Sequence, residues 1–115
     1  VVNIASIEGH HPARGHSHYS TSKAGLLMLT KSAALEYADF GIRVNSVSPG
    51  LIDDGNLKER WPEGLNRWLD SAPLRRVGSP KDVANAVVFL SSPMASWITG
   101  SDLVVDGGVS SSSTW

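Results

Sequence analysis

Short apolar runs alternate with helical segments along this chain, and that order is the strongest constraint on its fold. The apolar runs cover residues 1–5, 42–49 and 102–108, and helical periodicity covers residues 20–39 and 79–92. Runs of this length that are rich in valine and isoleucine are typical of strands buried in a sheet. Strands that alternate with helices pair in parallel through right-handed crossovers. The sequence therefore predicts an α/β fold, and three strands make only about half of a doubly wound parallel sheet.

The helix predicted over residues 20–39 is apolar around much of its surface. Leu26, Met28, Leu29 and Ala33 broaden an apolar face that consists of Ala24, Leu27, Leu35 and Ala38. A helix of this kind packs on two sides, which predicts contact with the sheet and with a second subunit. Gly41 is its expected C′ residue.

The segment from residue 51 to residue 76 is less regular and holds one short amphipathic helix. Pro62 suits the first turn of that helix, and its apolar side chains recur at helical spacing: Trp61, Leu65, Trp68 and Leu69. Ser79 is the expected N-cap of the next helix, with Pro80 at N1. Ser110 to Ser113 form a low-complexity tail that is expected to be mobile.

Composition narrows the range of functions. The 115 residues suit one domain, and a net charge of −1 gives no electrostatic case for nucleic acid or an anionic membrane as a partner. The chain has no cysteine, which excludes a disulfide framework and thiolate metal sites. It has no apolar run long enough to span a bilayer and no signal peptide, which favours a soluble cytoplasmic protein. It begins with Val1 rather than methionine, and we expect it to be the C-terminal part of a longer protein.

Tyr19 and Lys23 lie four residues apart where the long helix is expected to begin. One interpretation is structural, with the lysine side chain packed along the tyrosine ring on the helix surface. The other is catalytic, because a phenol is normally protonated at neutral pH and an ammonium group one turn away favours its charged form. Ser6 follows the first strand, at the sheet edge where α/β proteins bind ligands. In the catalytic interpretation the three side chains converge on one substrate oxygen, and Tyr19 exchanges the proton.

The combined motifs resemble the C-terminal half of the short-chain dehydrogenases/reductases. Asn3 to Ser6 match the family's strand with its catalytic serine, and "YSTSK", Tyr19 to Lys23, matches its Tyr-x-Ser/Thr-Ser/Thr-Lys block. Further matches are "GIRVNSVSPGLI", "RVGSPKDVA" and "ITGSDLVVDGG". The resemblance covers nearly the whole chain. It implies a Rossmann-like fold, with residues 1–115 as the C-terminal catalytic and substrate-binding part of a single domain.

The resemblance also implies roles for single residues. Ser6, Tyr19 and Lys23 would be catalytic: Ser6 orients the carbonyl or hydroxyl group, Tyr19 is the general acid/base, and Lys23 also bonds the nicotinamide ribose. NAD or NADP is the implied cofactor, and no metal is expected. Cofactor contacts would come from Tyr19, Lys23, Pro49, Gly50 and the backbone of Ile52.

The chain departs from the family pattern in two respects. Asp54 stands where the family's Pro-Gly-x-Ile/Val-x-Thr turn has a threonine that helps to hold the cofactor. The family's glycine-rich phosphate loop, its catalytic asparagine and the residue that selects NAD or NADP all lie upstream of the part that this sequence matches. No Gly-x-Gly occurs in these 115 residues.

Several other residues have two interpretations. The four histidines, His10, His11, His16 and His18, suggest either a metal site or, since no Asp or Cys completes them and Glu8 is the only nearby acid, a polar loop beside the substrate. Trp61 and Trp68 are expected to cover the cleft as a small lid, which favours an apolar or ring-containing substrate. Arg75 and Arg76 look like a phosphate clamp, but a contact to the adjoining turn or to a partner subunit is favoured.

Two hypotheses about function follow. In the first, the intact protein is an NAD(P)-dependent oxidoreductase that acts on a small alcohol or ketone, such as an oxoacyl-carrier reductase or a sugar or polyol dehydrogenase, and it forms a homodimer or homotetramer. In the second, the chain is a non-catalytic fragment that folds or functions only with a partner or with the missing N-terminal half. A strand and a glycine-rich turn upstream of Val1 would favour the enzyme.

Overall fold

A computed structural model describes residues 1–111 of the chain and shows a three-stranded parallel sheet with helices on both faces. The central strand pairs in parallel with both neighbours, with Asn3 opposite Ser46 and Ser48 opposite Val104. The predicted α/β fold with half of a doubly wound parallel sheet is confirmed. The strands are β1 (Val2–Ile4), β2 (Asn45–Pro49) and β3 (Asp102–Val105).

The helices follow the predicted order, and one further short helix lies between β2 and the predicted amphipathic helix. They are α1 (Ser17–Glu36), α2 (Leu57–Arg60), α3 (Pro62–Ser71) and α4 (Pro80–Ser91). The start of α4 is as predicted, because the Ser79 side chain accepts a hydrogen bond from the Asp82 N–H and the Asp82 carboxylate accepts one from the Ser79 N–H.

The hydrophobic core lies between the sheet and α4. Val47 on the central strand is fully buried and packs with Ala86 and Leu90 of α4 and with Ala95. Because side chains alternate along a strand, its neighbours Ser46 and Ser48 point to the opposite face. Both buried hydroxyls donate to the Asp102 carboxylate, at 2.6 and 2.9 Å, which satisfies them away from water.

Helix α1 covers that opposite face. Its buried residues are Leu27, Thr30 and Ala34, and Thr30 Oγ1 accepts a hydrogen bond from Asn3 Nδ2 of β1 at 2.9 Å. The apolar surface is larger than the contact with the sheet, as the sequence predicts: large apolar side chains left exposed are Met28, Leu29 and Leu35. An exposed apolar strip on a helix is typical of an interface.

The observed bounds of α1 and β2 differ from those that the sequence predicts. Helix α1 begins three residues early, at Ser17, and ends at Glu36 instead of residue 39. A separate 3₁₀ turn (Ala38–Phe40) follows, and Gly41, with φ of +69°, ends that turn rather than α1. Strand β2 begins at Asn45 and not at residue 42.

The C-terminal residues that the structure describes are not a free tail. Val109–Ser111 form a 3₁₀ turn, in which the Ser110 N–H donates to the Asp106 carboxylate at 2.7 Å. The expectation of mobility is therefore wrong for Ser110 and Ser111, and residues 112 and 113 lie outside the described part. Within residues 1–111, no helix has the length and hydropathy to cross a bilayer.

Candidate active site

A cavity of about 800 Å³ opens at the carboxyl edge of the sheet, where β1 and β2 end. This is the edge at which open α/β sheets bind their ligands. Its walls come from the loop after β1, the start of α1, the turn after β2 and helix α3. The lining residues are Ser6, Ile7, Glu8, Ala13, Arg14, His16, His18, Tyr19, Gly50, Leu51, Trp61, Gly64, Arg67, Trp68, Ser71 and Val109.

Ser6 lies at the inner wall, two residues beyond β1, and is 8% exposed. Its Oγ accepts a hydrogen bond from the Glu8 N–H at 3.1 Å and so caps the 3₁₀ turn Ile7–Gly9. The hydroxyl proton of Ser6 is not used in that contact. A serine has one donor and two acceptor sites, so Ser6 is held in place with its donor still available.

Tyr19 lies in the first turn of α1 and is 38% exposed, with its ring facing the cavity. The Lys23 ammonium is 5.5 Å from the centre of that ring. Lys23 Nζ also donates to the carbonyl oxygen of Ile4, the last residue of β1, at 2.9 Å. The bond to β1 fixes the lysine between the sheet edge and the tyrosine.

The turn after β2 brings backbone to the opposite side of the cavity. The Gly50 N–H donates to the Val105 carbonyl at 2.9 Å, which holds the turn against β3. A Cβ at Gly50 would lie 2.5 Å from Trp68 Cη2 and 2.8 Å from Asp106 Cβ. No side chain fits at this position, so the backbone itself forms the wall.

Ile52 follows that turn and forms an isolated parallel bridge with Gly78. The two hydrogen bonds of the bridge use the Leu51 carbonyl and the Asp53 N–H, each 2.9 Å from its Gly78 partner. The N–H and carbonyl of Ile52 are not used in them. Ser6, Tyr19 and Gly50 line the cavity, whereas Lys23, Pro49 and Ile52 are not among its lining residues; Pro49 and Ile52 are next in sequence to the lining residues Gly50 and Leu51.

The two aspartates after Ile52 are engaged with nearby residues. Asp53 Oδ1 accepts hydrogen bonds from the N–H groups of Gly55, at 2.8 Å, and Leu57, at 3.0 Å, and these bonds lower the pKa of Asp53. Asp54, at the position of the family's threonine, is exposed and pairs with Arg60 at 2.7 Å. That ion pair offsets the negative charge of Asp54.

Helix α3 forms the outer wall. The indole of Trp61 lies against Gly64 one turn later, where any Cβ would overlap the ring. Trp68 Nε1 donates to the Arg76 carbonyl at 3.3 Å, which anchors the second indole over Gly50. Both tryptophans line the cavity, as expected of a cover over the cleft.

Asp106 follows β3, and its carboxylate accepts hydrogen bonds from the turn that contains the lining residue Val109. Burial raises the pKa of this carboxyl group, but hydrogen bonds from Ser110 and Gly108 outweigh burial, and the net effect is a lowered pKa. The charged carboxylate thus holds the turn that carries Val109 into the cavity.

The histidines do not come together. His10 Nε2 is 2.8 Å from the Asp102 carboxylate on the α1 side of the sheet, whereas His16 Nδ1 is 3.1 Å from Glu8. Within residues 1–111, no group of three or more histidine, aspartate, glutamate or cysteine residues could hold a metal ion. His16 and His18 line the cavity, which agrees with a polar loop beside it.

The arginine pair does not form a phosphate clamp. Arg75 donates to the carbonyls of Leu69 and Asp70 near the end of α3, at 3.4 and 3.2 Å. Arg76 makes a two-point contact with the Asp82 carboxylate, at 2.8 Å each. Both residues thus contact the ends of neighbouring helices, and the expected alternative of a contact with a partner subunit stays a prediction.

Sequence reasoning missed Arg14 and Arg67 as lining residues. A signal was available for Arg67, since Gly64, Arg67, Trp68 and Ser71 recur at i, i+3, i+4 and i+7 and share a helix face. Arg14 lies in an irregular loop, where no periodicity shows which way a side chain points.

A family model described as Enoyl-(Acyl carrier protein) reductase matches residues 1–110, nearly all of the chain. The chain belongs to the short-chain dehydrogenase/reductase family. The resemblance drawn from its motifs is thereby confirmed.

Individual relatives agree with this assignment. The chain is 41% identical over 109 residues to the 3-oxoacyl-(acyl-carrier-protein) reductase FabG of Chlamydia muridarum, with 95% of this chain and 44% of the relative covered. It is 42% identical over 110 residues to glucose 1-dehydrogenase 2 of Bacillus subtilis, with 95% and 43% covered. An oxidoreductase structure from Burkholderia thailandensis, assigned to the same family, has a TM-score of 0.88 at 39% identity, with 96% of this chain and 44% of that one covered. The chain thus spans somewhat less than half the length of the relatives it matches.

Proposed function

We propose that the whole protein is an NAD(P)-dependent oxidoreductase that interconverts a small alcohol and its ketone or aldehyde. The observation that carries the proposal is the grouping of Ser6, Tyr19 and Gly50 around one cavity, with the Lys23 ammonium 5.5 Å from the Tyr19 ring. The names of the relatives, an oxoacyl-carrier reductase and a sugar dehydrogenase, support this reaction class.

Two features of the turn after β2 fit a nicotinamide ring. Gly50 lines the cavity with backbone alone, so a flat ring can lie against the turn on the side that the Trp68 indole does not occupy. The unengaged N–H and carbonyl of Ile52 match the acceptor and donor of a carboxamide. In this proposal Pro49, Gly50 and Ile52 hold the nicotinamide, Tyr19 and Lys23 contact its ribose, and either NAD or NADP is the cofactor.

A bound nicotinamide cofactor supplies the hydride in reduction and accepts it in oxidation. This chain supplies the proton. In reduction, the Tyr19 hydroxyl gives its proton to the carbonyl oxygen while the Ser6 hydroxyl donates a hydrogen bond to the same oxygen. Negative charge develops on the Tyr19 oxygen as the proton leaves, and the Lys23 ammonium and the N-terminal end of α1 both stabilise it.

We also propose that residues 1–115 are the C-terminal catalytic and substrate-binding part of a single domain. The exposed strip of α1 that contains Met28, Leu29 and Leu35 would be covered by a second copy of the protein, giving a homodimer or homotetramer. Nucleic acid and membranes are not partners in this proposal.

The direct test is an activity screen of the full-length protein. Absorbance of NADH and NADPH would be followed as the reduced cofactor is consumed with oxoacyl thioesters, sugars and simple ketones, or formed with polyols and other alcohols. The proposal expects cofactor turnover with at least one carbonyl or alcohol. A full-length protein that binds NADH or NADPH but turns over no member of the panel would contradict it.

A further inference from the structure

The arginines of this chain divide into two groups by what their guanidinium groups contact. Four of them bind acceptors within the chain: Arg43 binds three backbone carbonyls, Arg60 binds Asp54, Arg75 binds two carbonyls near the end of α3, and Arg76 binds Asp82. Within residues 1–111, Arg14 and Arg67 have no carboxylate or carbonyl partner, and both line the cavity. Arg67 lies over the Trp61 ring, with its guanidinium carbon 5.5 Å from the ring centre.

The rest of the lining does not neutralise these charges. Among the residues that the structure describes, Glu8 is the only acidic residue in the cavity wall. Its carboxylate lies 3.1 Å from His16 and accepts from the Ser20 hydroxyl at 3.4 Å. His18 adds a further group that can carry positive charge. A cleft lined by one sign of charge attracts ligands of the opposite sign.

The shape of the cavity adds an apolar requirement. The lining also includes the indoles of Trp61 and Trp68 and the side chain of Leu51. A volume of about 800 Å³ is that of a site for a small organic molecule. The wall thus combines a proton donor, apolar side chains and two arginines whose guanidinium groups have no acidic partner among the described residues.

We propose that the substrate is a ketone or alcohol that carries a carboxylate, joined to the reacting carbon through an apolar or aromatic portion. Arg14 and Arg67 bind the carboxylate, whose geometry a guanidinium fork matches. The tryptophans and Leu51 cover the apolar portion. This inference rests on the proposed function, because it names the substrate class of the same site.

The test uses matched probes with the full-length protein: 4-acetylbenzoate against methyl 4-acetylbenzoate, and 5-oxohexanoate against its methyl ester. We expect kcat/KM to favour each acid over its ester by about tenfold or more. Arg14→Gln and Arg67→Gln should each lower kcat/KM for the acids about tenfold, mainly through KM, and change the esters less than about twofold. Lys81→Gln removes the same charge from an exposed position in the first turn of α4, outside the cavity, and should change neither.

A conservative variant separates charge from packing. Arg67→Lys keeps the cation but not the fork, and it should recover part of the preference for the acids. Esters that react as fast as acids, or Arg67→Gln losses that are equal for both, would overturn the inference while leaving the reaction class intact.

Calorimetric titration of the same four probes measures their affinity for the protein and so tests the anion site independently of catalysis. The acids should bind to the wild-type protein and lose affinity about tenfold or more in Arg14→Gln and Arg67→Gln, whereas the esters should not. If the acids bind in this way and no carbonyl is reduced, the proposed reaction fails and the anion site stands. Acids that bind no better than esters would refute the anion site.

Discussion

Replacing Gly50 by alanine should destabilise the protein and displace the Trp68 indole. The new Cβ would lie 2.5 and 2.8 Å from two atoms of the Trp68 six-membered ring and 2.8 Å from Asp106 Cβ. Carbon atoms pack best about 3.5–4.0 Å apart, so the indole must move by about 1 Å. The hydrogen bond from Trp68 Nε1 to the Arg76 carbonyl is already long, at 3.3 Å, and that movement would break it.

Overpacking of this kind costs about 1–3 kcal/mol. With a urea dependence of roughly 2 kcal/mol per molar, a loss of about 2 kcal/mol lowers the unfolding midpoint by about 1 M. Urea unfolding of the full-length wild-type and Gly50→Ala proteins, followed by circular dichroism, measures this shift. Titration with NADH or NADPH should also show weaker binding, because the displaced indole disturbs the turn that is proposed to hold the nicotinamide.

A double-mutant cycle identifies the cause. The two Trp68 atoms that the methyl group meets do not exist in phenylalanine, so Gly50→Ala should cost less in a Trp68→Phe background than in the wild type. Part of the cost should remain, because Asp106 Cβ is unchanged. An unfolding midpoint that Gly50→Ala leaves within about 0.2 M of the wild type would show that the turn after β2 tolerates a side chain, and the close-approach argument would be wrong.

Three further predictions concern stability, assembly and cofactor binding. The hydrogen bonds from Arg76 and Ser79 lower the pKa of Asp82. The stability that Asp82 contributes is therefore present above the ordinary carboxyl pKa of about 4 and is lost as the pH falls toward the lower pKa of the folded state. The difference between the urea unfolding midpoints at pH 5 and pH 2.5 should be larger for the wild type than for Asp82→Asn. Leu35→Glu, at a position that is 82% exposed on α1, should shift the full-length protein toward monomer in sedimentation velocity with unchanged circular dichroism, and an unaltered oligomer would place the interface elsewhere. The 115-residue chain alone has no Gly-x-Gly turn and should not bind NADH or NADPH at micromolar concentration in a fluorescence titration, whereas the full-length protein should.

The sequence predicts best those elements that carry their own local signals. Ser79 and Pro80 mark the start of α4, because an N-cap and a first-turn proline act on the backbone directly beside them. The start of α1 carries no such signal: its N-cap, His16, makes no side-chain hydrogen bond to the helix. The apolar periodicity alone predicts a start at Ser20, three residues later than the observed start at Ser17.

Two further features depend on contacts that periodicity does not show. Helix α2 has only four residues, and its start is fixed by the Asp53 carboxylate, which accepts the Leu57 N–H. Arg14 and Arg67 are 53 positions apart in sequence and meet the same cavity only through the packing of α3 against the sheet edge. Motif spacing indicated Ser6 and Tyr19, and the family resemblance implied Gly50, but the two arginines of the cavity wall could be found only from the fold.

The most direct test of the proposed mechanism compares two tyrosine variants of the full-length protein. Tyr19→Phe removes only the hydroxyl that is proposed to transfer the proton, and Tyr37→Phe removes the same group at the exposed end of α1. With an accepted substrate, we expect Tyr19→Phe to lower kcat by about 10²-fold or more and to leave NADH or NADPH affinity within about twofold, while Tyr37→Phe changes neither. A Tyr19→Phe protein that retains more than about a tenth of the wild-type kcat would contradict the account, and Tyr19 and Lys23 would then be an ordinary contact on a helix surface.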